Sequence, residues 1–212
     1  MVKQWVERTP DNFLFTVKMP KKITHEAKLK NIEKELDYFE STIRVLGPKL
    51  ACVIAQLPPS IKYDLGLDAL KEFLDLTDPK VRYALEFRHD SWLRNETYDI
   101  LKDKRACFVW SVSEHVESLP PEVTADFVYL RFMGEFREFT KFDRIQKDRT
   151  EILGTWWKNL EKVSGSLSKA FVMASNHFAG FAPATVNQFR KIAGLDEPDW
   201  NERMAHYDEG KM

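Results

Sequence analysis

Short apolar runs, each closed by a polar or charged residue, recur along this chain and form its most informative pattern. Phe13-Leu14-Phe15-Thr16-Val17 ends at Lys18, Leu50 to Ala55 ends at Gln56, and Tyr83 to Phe87 carries Glu86 and Arg88 at its close. Cys107 to Trp110 leads to Ser111 and Ser113, Phe127 to Leu130 leads to Arg131, and Ala170 to Ser175 leads to Asn176-His177. The runs 50–55 and 127–130 are continuously apolar instead of alternating, which predicts strands buried on both faces and paired in parallel under covering helices. Ligands in parallel α/β folds bind at the carboxyl ends of the strands, so the polar closures mark the wall of a site.

Between these runs apolar residues return at helical spacing. Leu29, Ile32, Leu36, Phe39, Ile43 and Leu46 precede the stop signal Gly47-Pro48, and Leu67, Leu70, Phe73, Leu74 and Leu76 precede Asp78-Pro79. Tyr98 and Leu101 follow Asn95; Ile152, Trp156, Leu160 and Val163 precede Gly165; Val186, Phe189 and Ile192 follow Ala182-Pro183. The order is a repeated βα unit, read as a single domain over residues 1–200, with a polar tail at 201–212 that frays beyond Trp200.

The expected fold class is α/β, a TIM-barrel-like parallel (β/α) barrel. A complete eight-unit barrel takes about 250 residues, and only six strands are legible in the 212 residues present. Val2, Trp5 and Val6 read as the end of an amphipathic helix with no strand before it, so the chain is expected to start within a unit and to be N-terminally incomplete. The segment from Ser113 to Asp126, with Leu119-Pro120-Pro121, is too short for a full helix and predicts an irregular crossover. The long connection 133–150 interleaves Phe136, Phe139 and Phe142 with Arg137, Lys141, Arg144, Lys147 and Arg149, as expected of a lid or binding loop.

Charge changes the picture by exclusion. Lys plus Arg (32) balances Asp plus Glu (33), so no global field holds nucleic acid or an anionic membrane, and any such binding has to come from a local patch. The longest apolar runs are strand-sized and the N-terminus lacks an apolar signal core, so a soluble cytoplasmic protein without membrane contact is expected. Cys52 and Cys107 lie inside apolar runs without CxxC spacing and read as inert core thiols.

The densest candidate is Leu85-Glu86-Phe87-Arg88-His89-Asp90-Ser91-Trp92. Alternation sends Glu86 and Arg88 to one face, where the carboxylate suits a general base and the guanidinium grips an anion; the competing reading is an ion pair that plugs the barrel. Lys18 reads as a charge clamp or, when desolvated, as a proton carrier or imine-forming amine. His25 reads either as an acid or base or, with Thr24, as a first-turn helix residue. Gln56 would orient a substrate, Arg131 adds a third cation, and Gly134 permits close backbone approach. Asn176 and His177 open a glycine turn before a helix, a place where barrels hold phosphate. No Walker loop, GxGxxG, GxSxG or HExxH pattern occurs, and neither a metal nor a cofactor is expected.

Five runs in this order resemble one known family: Val17-Lys18-x-Pro20-x-x-Ile23-Thr24-His25, Gln56-Leu57-Pro58-Pro59-Ser60, Glu86-Phe87-Arg88-His89-x-Ser91-Trp92, Phe127-Val128-Tyr129-Leu130-Arg131-x-x-Gly134, and Asn176-His177-x-x-Gly180-x-Ala182-Pro183. Over residues 5 to about 193 the chain is similar to the YecE-like family, domain of unknown function 72. The resemblance implies a TIM-barrel-like fold with a charged pocket at the strand ends and no established reaction. Members usually begin with two further βα units, carrying Gly-Thr-Ser-Gly-Trp and Asn-Ser-Thr-Phe-Tyr type strand ends, that this sequence lacks. Open strand edges seek partners, so a homo-oligomer covering them is an expectation.

The functional expectation is an enzyme acting by acid-base chemistry on a small phosphate- or carboxylate-bearing substrate. Glu86, His25 and His177 are its candidate catalytic groups; Lys18, Gln56, Arg88, Arg131 and Asn176 are its candidate binding groups, under a closing 133–150 loop. The rival expectations are a single-strand nucleic-acid binding module using Lys18, Arg88 and Arg131 together with Arg137, Lys141, Arg144, Lys147 and the interleaved phenylalanines, and a truncated scaffold without activity.

Overall fold

The computed structural model describes residues 1–113, 122–135 and 137–197. The expected crossover around Leu119-Pro120-Pro121, the side chain of Phe136 and the tail beyond Trp200 lie outside them. The described elements alternate as predicted. Helix α1 (Val2–Glu7) precedes strand β1 (Phe15–Lys18), and α2 (Glu33–Ile43), β2 (Leu50–Gln56), α3 (Tyr63–Leu76), β3 (Tyr83–Glu86) and α4 (Asn95–Asp103) follow. The second half holds β4 (Cys107–Phe108), β5 (Trp110–Val112), β6 (Phe127–Phe132), α5 (Thr150–Val163), β7 (Lys169–Ala174), the short α6 (Asn176–Ala179) and α7 (Ala182–Ile192).

Every strand pairing is parallel, in two sheets of order β1-β2-β3-β4 and β5-β6-β7. The run read as one strand from Cys107 to Trp110 divides at Val109, whose amide donates to the Leu85 carbonyl (2.9 Å), so its first half pairs with β3 and its second with β6. The helix read from Leu29 starts only at Glu33. Lys28, Leu29 and Asn31 take positive φ values of 53°, 67° and 52°, which no helix accommodates, and Leu29 and Ile32 are buried from the loop instead. Gly47-Pro48 is likewise not the helix stop: α2 ends at Ile43, and a 3₁₀ segment (Arg44–Lys49) carries Pro48 and the buried Leu46.

Alternation along the strands sorts side chains between two environments. Val53, Ala55, Leu85 and Phe87 face out against Leu36 and Phe39 of α2 and Leu70 and Phe73 of α3. Val128, Leu130 and Phe132 pack the same way on Leu153, Trp156 and Leu160 of α5 and Phe189 of α7. The alternate residues, Cys52, Ile54, Ala84, Cys107, Val109, Phe127 and Tyr129, form one further cluster drawn from both sheets. Thr16 on β1 and Tyr129 on β6 share a hydrogen bond (3.2 Å) across that interior, so the sheets curve about a common core. Both cysteines are free and buried there; burial pushes the Cys52 thiol up to about 12 and raises that of Cys107 as well, as inert thiols require. No closed barrel forms among the described residues, and β1 and β7 each pair with a single strand. No helix among them is long and apolar enough to cross a membrane.

Candidate functional site

The inner-face alternation continues past the apolar cluster into its polar rim: Gln56 follows Ile54, Glu86 follows Ala84, Ser111 follows Val109 and Arg131 follows Tyr129. Strand register sets these ends level, with Gln56 opposite Glu86 and Ser111 opposite Arg131. Glu86 is 0% exposed, and each of its carboxylate oxygens meets a guanidinium: Oε1 lies 2.5 Å from Arg88 Nη2, and Oε2 accepts from Arg131 Nη1. Both arginines are thus drawn to one buried carboxylate, which restricts where their guanidinium groups can lie. Arg88 is itself buried; among the described residues its Nε, Ser111 Oγ and Glu86 Oε1 have no hydrogen-bond partner, so the Glu86 Oε1–Arg88 contact is an ion pair without hydrogen-bond alignment.

Lys18 Nζ donates to Gln56 Oε1 (2.9 Å), which brings a third cation to the same rim. Partial burial lowers the Lys18 pKa below that of an ordinary lysine, the Arg131 charge lowers it further, and Glu86 opposes them incompletely. His25 sits in a π-helical turn (Lys22–Glu26) directly after β1, so Thr24 and His25 do not open a long helix. The His25 Nδ1 and Thr24 Oγ1 are hydrogen-bonded at 2.8 Å, and burial together with the Lys18 and Lys21 charges keeps its pKa below the usual histidine value. Lys18, His25, Gln56, Glu86, Arg88 and Arg131 are thereby gathered on one rim. Lys18, Arg88 and Arg131 thus lie around the single carboxylate of Glu86.

The remaining candidates, Asn176 and His177, lie in the turn after β7. Asn176 Oδ1 accepts the Ala182 amide (2.8 Å), so the asparagine caps α7 and occupies the helix terminus read as a phosphate site. The His177 ring stands edge-on to Phe142 (5.1 Å), and its amide donates to Ser175 Oγ (3.2 Å). Next to Arg88, His89 Nδ1 accepts the Ser91 amide, and Trp92 is fully buried with Nε1 donating to the Ile61 carbonyl. Neither reaches the rim as a free group.

The 137–150 stretch is a docked wall instead of a free lid. The amides of Gln146 and Lys147 donate to the Ala179 carbonyl (2.7 and 3.3 Å), and Arg149 Nε donates to the Phe178 carbonyl (3.0 Å) with its guanidinium over the Phe178 ring. Lys147 and Arg149 also pair with Glu138, which engages Lys147, one of the cations expected to bind nucleic acid. Gly134 permits the close approach anticipated for it: at φ +65°, a Cβ there would collide with the His177 carbonyl. Sequence reading missed the Thr16–Tyr129 link, for which isolated hydroxyls give no signal, while Ser111, named as a strand closure but given no role, stands opposite Arg131. Among the described residues no three His, Cys, Asp or Glu side chains group as a metal site.

Residues 1–207 match the model of a family described as "Protein of unknown function DUF72". Over 89 residues the chain is 33% identical to the UPF0759 protein YecE of Escherichia coli (strain K12), and equally to that of Escherichia coli O157:H7. That stretch is 42% of this chain and 32% of each relative, so the chain matches about a third of the length of these curated proteins. A DUF72 family crystal structure from Thermotoga maritima MSB8 superposes with a TM-score of 0.76 at 27% identity, covering 90% of this chain and 77% of that one. A DUF72 family protein from Enterococcus faecalis V583 shares the fold, with a TM-score of 0.75 at 19% identity and 93% and 80% coverage.

Proposed function

This chain belongs to the DUF72 family of proteins of unknown function, and from that premise and the geometry of its polar rim we propose an enzyme that binds a small anion at the strand carboxyl ends of a TIM-barrel-like wall. The observation that carries the reading is Glu86, fully buried, with Arg88 on one oxygen and Arg131 on the other, beside Lys18. Glu86 has both carboxylate oxygens taken up by guanidinium groups. Its role is to hold two guanidinium groups in fixed orientation, as a preorganised clamp for a carboxylate or phosphate.

Proton movement then falls to His25 and Lys18, the two rim groups whose protonated forms are disfavoured, which suits hydrolase, lyase or isomerase chemistry near neutral pH. Gln56 orients Lys18 and supplies an amide to the substrate. Calorimetric titration with inorganic phosphate and with short carboxylates is the direct test. Binding should weaken roughly 10- to 100-fold in Arg131→Met, the loss expected of one charge-assisted hydrogen bond. Equal affinity in wild type and variant, or none in either at low salt, would overturn the reading.

A further inference from the structure

We infer that Lys18 is a carbonyl-trapping amine, whose Nζ forms an imine with a small aldehyde or ketone that also carries a carboxylate or phosphate. The inference rests on the anion-binding reading above and narrows it to one class of substrate.

Three placements support it. First, Lys18 ends β1 on the open side of the rim, exposed enough to be reached, while Gln56 Oε1 fixes its Nζ at 2.9 Å and so aims the amine. Second, partial burial and then the Arg131 charge act against an ammonium ion there, with Arg88 adding a smaller push, while Glu86, paired with both arginines, opposes them incompletely. The neutral amine is the nucleophilic form, so burial and the same guanidinium charge that holds the substrate's anion both ease loss of the ammonium proton. The nearby Lys22 is the contrast: it is paired with Glu35 (2.9 Å), and that bond raises its pKa. Third, His25 lies within the field of Lys18 with Nδ1 held by Thr24, which leaves Nε2 to carry protons.

The step balances without a further reactant. The Nζ lone pair attacks the carbonyl carbon, a C–N bond forms as the C=O π pair moves to oxygen, and a proton passes from nitrogen to that oxygen. The hydroxyl of the resulting carbinolamine then leaves with the second nitrogen proton as water, closing the C=N bond. His25 serves these transfers as base and then acid. Amine and carbonyl enter, imine and water leave, and nothing is oxidised or reduced.

The test is trapping by cyanoborohydride with pyruvate, with glyceraldehyde 3-phosphate, and with the uncharged methyl pyruvate, followed by intact-mass measurement and peptide mapping. One adduct per chain is expected, on Lys18, lost in Lys18→Arg and formed roughly tenfold less with the uncharged ester. The two anionic probes distinguish a 2-oxo acid site from a phosphosugar site. Phosphate or pyruvate binding by calorimetry without a Lys18 adduct would overturn the imine while leaving the anion site standing. Neither binding nor adduct would overturn both. Labelling spread equally over surface lysines in wild type and Lys18→Arg would also end the inference; circular dichroism of the variant confirms that its fold is intact.

Discussion

Glu86 on β3 and Arg131 on β6, 45 residues apart in sequence and in different sheets, share a carboxylate-guanidinium hydrogen bond at the rim of the common core. The bond joins the two sheets at their carboxyl ends much as Thr16 and Tyr129 join them inside. It also makes Glu86 the point on which two cations are positioned.

Replacing Glu86 therefore acts on stability as well as on binding. Glu86→Gln leaves two guanidinium groups without their counter-charge in a dry setting, and a loss of about 3 kcal/mol is expected, the low end for breaking a buried ion pair. Urea unfolding measures it. A loss below about 1 kcal/mol, as for an exposed pair, would show that the three groups do not form a buried unit in solution.

Lys18 gives a pH signature with a definite sign. Its pKa is lower in the folded chain than the ordinary value of 10.5, so the unfolded chain binds more protons and stability rises with pH through the window just below that value. At neutral pH the charged amine opposes folding. Lys18→Met is expected to melt higher than wild type at pH 7, with the gap closing as the pH approaches 10.5. A variant that melts lower at pH 7 would contradict the repulsion from Arg131 and Arg88.

His25 adds a second, acidic window of the same sign. Its lowered pKa means that stability increases as pH rises toward the ordinary value of 6.5 and is lost on acidification. His25→Gln should flatten that part of the melting-temperature profile. An unchanged slope below pH 6.5 would place the histidine in open solvent.

Gly134→Ala tests the docking of the 137–150 wall. Alanine at φ +65° is strained, and its Cβ would displace the His177 backbone, so a cost above about 1 kcal/mol is expected together with faster proteolysis between Arg137 and Arg149. Cleavage at the wild-type rate would mean that the turn and the wall move independently.

Tyr83→Phe probes the opposite end of the strands. Tyr83 Oη donates to the buried Glu40, which also accepts the Asp78 amide (3.0 Å). Losing the phenol leaves part of a buried carboxylate unsatisfied, and about 1 to 3 kcal/mol should be lost in chemical denaturation. A neutral substitution would indicate that water reaches Glu40.

How far the sequence carried depended on whether the signal was local. Period-two alternation put Glu86 and Arg88 on one face, the close of an apolar run put Arg131 at a strand end, and helical spacing found α3, α5 and α7, because a side chain's direction follows from backbone geometry alone. The same local logic overextended α2 to Leu29, since buried apolar residues at helical spacing look identical whether a helix or a left-handed turn delivers them. It also ran Cys107 to Trp110 together as one strand, although the break at Val109 exists only because the two halves pair with different neighbours.

The sequence by itself determined which residues stand at strand ends and which way they point, a consequence of alternation and of where apolar runs stop. Only the tertiary structure decided who meets whom: that Arg131 reaches Glu86 across two sheets, that Gln56 holds Lys18, and that Asn176 spends its oxygen on the α7 amide. Pairing between distant strands is set by register and sheet curvature, which emerge from the packing of the whole chain and are written in no single segment of it.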